Sequence, residues 1–144
     1  MSGPLDRIAI ALFLVLLVTV VGLVRHRNRV LRGWQDSREA LSVEEFASRY
    51  FGKSQQAVWA ASTTRRFIEA QLERELPFLQ PDDDLINDLV LTEWPHISFA
   101  ADLSASVGVL VQANEINRVR TVSDLVALLA AKCPSAPEVI HSRA

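Results

Sequence analysis

Residues 8–24 read IAIALFLVLLVTVVGLV, seventeen positions without a charge, and they are followed at once by RHRNRVLR at 25–32. As a helix the apolar run extends roughly 25 Å, which reaches across the hydrocarbon core of a bilayer with little to spare. A cleaved leader fits less well, because MSGPLDR is not strongly basic and no small-x-small site precedes the arginines. The run therefore predicts a retained single-pass anchor. Arg25, Arg27, Arg29 and Arg32 flank it on one side, while Arg7 and Asp6 offset one another on the other. The positive-inside rule then puts the larger, C-terminal part in the cytoplasm, beneath an inner or plasma membrane. Trp34 extends the flank with an amphipathic ring suited to the headgroup layer.

Charge divides the chain at the same place. Residues 1–34 hold five Arg and one Asp, whereas residues 35–144 hold ten Lys or Arg against sixteen Asp or Glu. An acidic soluble part, and a basic run without interleaved aromatics, speak against nucleic acid as a partner. Four such arginines can draw anionic lipid at about 1 kcal/mol each, but a topology signal alone is the better account of them, because flanks of this kind are common. One cysteine, Cys133, permits no internal disulfide, and His and Cys do not cluster as a structural zinc site requires. A length of 144 residues with 49% hydrophobic residues leaves room for one compact domain beside the anchor.

The soluble part reads as helices. Gln35 to Leu41 is a polar linker, and Ser42-Val43-Glu44-Glu45 is a capping box that starts a short helix at Val43. Gly52 ends that helix and Ser54 caps the next, a run from Gln55 to Leu76 with Val58, Ala61, Ile68, Leu72 and Leu76 near one face, stopped by Pro77. Pro81-Asp82-Asp83-Asp84 is a turn, and the aliphatic Leu85, Ile86, Leu89 and Leu91 after it must pack. Pro95 suits a first helical turn, with Ile97, Ala100, Leu103 and Val107 at helical spacing up to Gly108. Val109 to Arg120 lacks a clear period and reads as a loop; Thr121 then caps a helix with Val122, Leu125, Val126 and Leu129 on one face. Pro134 and Pro137 open a tail.

From about Thr64 to Leu129 this pattern resembles an acyl carrier protein, a small four-helix domain that bears acyl or peptidyl groups on a phosphopantetheine arm. PDDDLINDLVL at 81–91 looks like the loop before the attachment site, SVGVLV at 106–111 like the end of the second helix, and TVSDLV at 121–126 like the start of the last. The resemblance implies an all-α fold: a transmembrane helix, then a carrier-like four-helix bundle with an extra N-terminal helix. The boundaries are 1–34 for the anchor and basic flank, 35–62 for linker and accessory helix, 63–132 for the bundle and 133–144 for a tail.

The sequence departs from the family at the attachment serine. Where the family has Asp-Ser-Leu, this chain has Thr92-Glu93-Trp94, so Glu93 stands at the serine position. A carboxylate does not supply the alcohol oxygen on which the phosphodiester is made. Thr92 brings a hydroxyl one residue early, turned about 100° away around the helix mouth. The helix from Pro95 to Gly108 also holds a single acid, Asp102, where carrier proteins present several to basic partners.

The remaining constellations are weak. Asp82, Asp83 and Asp84 lack the spaced oxygens and terminal bidentate glutamate of a calcium loop, and helix capping accounts for them. His96 beside Glu93 has no nucleophile at useful spacing, so no catalytic site is expected and the chain is not read as an enzyme. Trp59 reads as core; Trp94, with Glu93 and His96, is a candidate for contact with a protein partner. The expectation is a non-catalytic carrier-like unit, without cofactor or metal, acting by protein–protein interaction at the bilayer. The alternatives are a membrane-tethered carrier that holds or presents acyl groups, and an accessory structural subunit of a membrane complex.

Overall fold

The computed structural model describes residues 4–91 and 96–133, with the side chains of residues 4–6, 96 and 97 outside the description. Six helices and no strand occur among the described residues, so the fold is all-α. The chain divides between Ser37 and Arg38 into two units.

The first unit is one helix, α1, Pro4–Ser37. Its 34 residues extend about 51 Å at 1.5 Å per residue, so it is long and apolar enough to cross a membrane. The one hydroxyl in the apolar run, that of Thr19, donates to the Val15 carbonyl at 2.8 Å, so it needs no water. The helix continues past Trp34 through residues that read as linker; nothing in Gln35-Asp36-Ser37 breaks it, and the Ser37 hydroxyl bonds back to the Gly33 carbonyl.

The second unit begins with α2 (Val43–Phe51) and α3 (Gln55–Leu72). Ser42 and Glu45 form the expected capping box, and Ser54 caps α3 by accepting from the Ala57 N–H. Gly52 turns the chain between them at φ +91, in the region where only a residue without Cβ is unstrained. Phe46 is fully buried and meets Tyr50 and Phe51 at 5.6 Å between ring centroids. The Arg65 guanidinium lies 5.6 Å from the Phe46 ring centre, donates to the Ser42 carbonyl and pairs with Glu69 at 3.0 Å, joining α3 to the start of α2.

α3 stops four residues before the position Pro77 would dictate. Glu73 adopts φ +51, and the freed Leu76 N–H donates instead to the Glu69 carboxylate at 2.8 Å. Leu76 is still buried, but from irregular chain rather than a helix. After the loop come α4 (His96–Val107), α5 (Ala113–Ile116) and α6 (Val122–Lys132). α4 ends at Gly108, φ +69, as its sequence requires. α5 lies inside the segment that reads as a loop; four residues are too few to show a period, and the Gln112–Glu115 box that starts it is the only local trace.

α6 packs on α3, and α4 on both α3 and α5. The core between them holds Ile68, Leu103, Val122, Leu125 and Leu129, with Phe67 of α3 edge-on to Phe99 of α4 at 5.3 Å. Gln56 near the start of α3 closes the far end by donating its amide to the carbonyls of Ala130 (2.6 Å) and Cys133 (3.1 Å), which α6 leaves without helical partners. Trp59 is half-buried rather than wholly in the core.

Candidate functional site

The loop from Gln80 to Leu91 determines how the chain arrives at position 92, and its aspartates do three different jobs. Asp84 caps the turn that follows: its Oδ1 accepts from the backbone N–H of Ile86 (2.9 Å) and Asn87 (2.8 Å), and its Oδ2 from the Asn87 amide and from Arg120 Nε at 2.8 Å. Partial burial pushes this carboxyl up, but the Asn87 N–H, the Arg120 guanidinium and the Ile86 N–H outweigh it and hold it at about 2. Asp83 is buried, with Arg38 Nη1 at 2.8 Å and the Gln80 N–H at 2.7 Å. Burial raises its pKa against the pull of both partners. Asp82 is exposed.

Backbone pairing ties this loop to α6. Leu85 N–H donates to the Arg120 carbonyl at 2.9 Å, Val122 N–H to the Asp83 carbonyl at 3.1 Å, and Ser123 N–H to the Pro81 carbonyl at 2.8 Å. Two of the four N–H groups that a helix start leaves open are thus met by the loop. A third, that of Asp124, donates to the Thr121 hydroxyl, completing the expected cap. Within the loop, Leu91 N–H returns to the Leu85 carbonyl at 2.9 Å. Closing it this way puts Val90 at φ +54, a left-handed conformation that costs a β-branched residue about 1–2 kcal/mol. Burial of Leu85, Leu89, Val90 and Leu91 opposes that cost. Ile86, expected to pack with them, is 39% exposed, because it lies on the outer side of the Asp84-capped turn.

Thr92, Glu93, Trp94 and Pro95 lie outside the described residues, and so does the side chain of His96, whose backbone begins α4. In sequence, the candidate partner contact at Glu93, Trp94 and His96 falls between the loop ending at Leu91 and the first residues of α4. Asp102 on α4 is half-buried. Among the described residues no group of three His, Cys, Asp or Glu is placed to hold a metal ion. The tail after Cys133 is also outside the described residues.

On α1, Arg25, Asn28, Arg29 and Arg32 line one shallow groove along a single helix face, whereas Arg27 is half-buried away from it and Trp34, in the last turn, is buried. Sequence reading found the arginines but not this sorting, for which the signal was the i, i+4, i+7 spacing of 25, 29 and 32. It also missed Arg38 and Arg120, whose partners are distant in sequence. No family model matches the chain, and no curated protein or solved structure is similar to it.

Proposed function

We propose that this is a single-pass protein of an inner or plasma membrane whose cytoplasmic unit is a carrier-like bundle that has lost its prosthetic group and binds another protein. The observation that carries the reading is a carboxylate, Glu93, at the position where the resemblance asks for the phosphopantetheine serine. The order of elements supports the same view: α3, an irregular loop, α4, the short α5 and α6 give the four helices of such a domain in sequence. Position 93 offers no hydroxyl on which a phosphopantetheine arm could be carried.

What remains without the arm is the stretch Glu93-Trp94-Pro95-His96 as a contact for a protein, on a unit tethered to the bilayer. Tethering raises its effective concentration toward other membrane-bound proteins, so a weak contact suffices. Purification from native membranes in mild detergent tests this. A stoichiometric protein partner is expected to travel with the chain and to be lost from the Glu93→Lys, Trp94→Ala double variant. Recovery of the chain alone, or a partner indifferent to both changes, contradicts the reading.

A further inference from the structure

Two grooves run in line along α1 and share one residue. The first is lined by Leu17, Val18, Val21, Gly22 and Arg25, the second by Arg25, Asn28, Arg29 and Arg32. The first is apolar and passes over Gly22, where the missing side chain leaves a gap; a Cβ there would meet nothing within 4 Å. The second offers three guanidinium groups, which only donate, and the Asn28 amide, whose NH2 also donates. From Arg7 to Gln35 the sequence holds no acid, and among the described residues no carboxylate pairs with Arg25, Arg29 or Arg32.

We infer that this face of α1 binds an anionic phospholipid, with an acyl chain in the Leu17–Gly22 groove and the headgroup phosphate among Arg25, Asn28, Arg29 and Arg32. The inference rests on the membrane reading above. The apolar run ends at Val24, so Arg25 falls where hydrocarbon gives way to headgroups, and the basic groove spans about 10 Å beyond it, within a Debye length of the surface. Guanidinium forks match phosphate oxygens in pairs, which a topology signal alone does not require. A soluble polyanion would match the arginines but leave the apolar groove unexplained. A lipid accounts for both halves, and for the residue they share.

The full chain, reconstituted in nanodiscs of equal phosphatidylglycerol and phosphatidylcholine with matched acyl chains, is extracted into mild detergent. Retained lipid is then counted by native mass spectrometry. Phosphatidylglycerol is expected to exceed phosphatidylcholine severalfold. The triple variant Arg25→Gln, Arg29→Gln, Arg32→Gln should abolish that preference and bring the two lipids to near-equal retention, since the arginines supply the attraction for the anionic headgroup. Gly22→Leu, which fills the apolar groove and leaves every arginine in place, should lower retention of phosphatidylglycerol severalfold. Equal retention of the two lipids by the wild-type chain, an unchanged preference in the triple variant, or unchanged phosphatidylglycerol retention in Gly22→Leu overturns the inference. Alkaline carbonate separates the two levels of failure: a wild-type chain stripped from membranes overturns the membrane reading and the lipid site with it. A chain that resists carbonate but shows no lipid preference overturns the lipid site alone.

Discussion

Asp84 accepts four hydrogen bonds on two oxygens, so asparagine in its place keeps the turn cap on Oδ1 and removes the charge that holds Arg120. Its folded pKa, about 2, lies below the ordinary carboxylate value of 3.8. A depressed carboxylate stabilises the fold above its unfolded pKa and loses that contribution as pH falls through the folded one. Arg120 is 71% exposed, so solvent screens the pair and the contribution is about 1 kcal/mol. Asp84→Asn is thus expected to lower stability by about 1 kcal/mol near pH 7, the gap closing between about pH 4 and pH 2 in urea titrations; a gap independent of pH contradicts the assignment. Thr64 presents the opposite case. Its hydroxyl is fully buried and finds no hydrogen-bond partner among the described residues, so Thr64→Val removes a desolvated polar group at nearly constant shape. It should stabilise the protein by about 1 kcal/mol, read as an upward shift of the thermal midpoint, and a loss of stability would show that the hydroxyl is satisfied.

At the level of elements, helix starts were legible and helix stops less so. Ser42, Ser54 and Thr121 act as caps because a cap is a local bond between a side chain and an N–H three residues on, which spacing alone reveals. The end of α3 was not, since Glu73 turns left-handed to let Glu69 take the Leu76 N–H, a bond that depends on Arg65 holding Glu69 in place. The clamp between Gln80–Leu85 and Arg120–Ser123, and the Gln56 closure of α6, join residues far apart in sequence and leave no periodic trace. Thr121→Ala removes the side-chain half of the α6 cap and should cost about 1 kcal/mol in urea unfolding. Because the Asp83 and Pro81 carbonyls hold the neighbouring N–H groups, hydrogen exchange should quicken at Asp124 and much less at Val122 and Ser123. Uniform quickening over all three would mean that the loop does not clamp the helix.

For the whole molecule, the apolar run and its arginines, the all-α class and the other helices followed from composition and period, whereas α5 did not, because four residues are too few to show a period. The two units differ in exposure: the large aliphatic side chains of the apolar run of α1, from Ile8 to Val24, are exposed, whereas residues 38–133 enclose a core. Expressed without α1, residues 38–144 should remain in water after centrifugation with a helical circular dichroism spectrum, and a pellet or a coil spectrum contradicts the division. Cys133, the only cysteine, is half-buried at the end of α6 and reports sidedness. An impermeant maleimide should label it in inverted vesicles and leave it unlabelled in intact cells; the reverse would place the bundle on the other side. The central claim is that an unmodified carboxylate replaces the carrier's armed serine, and the intact mass of the chain taken from its native membrane tests it most directly. The account predicts the mass of the unmodified polypeptide, with no phosphopantetheine group on it; a mass higher by one phosphopantetheine group would contradict it.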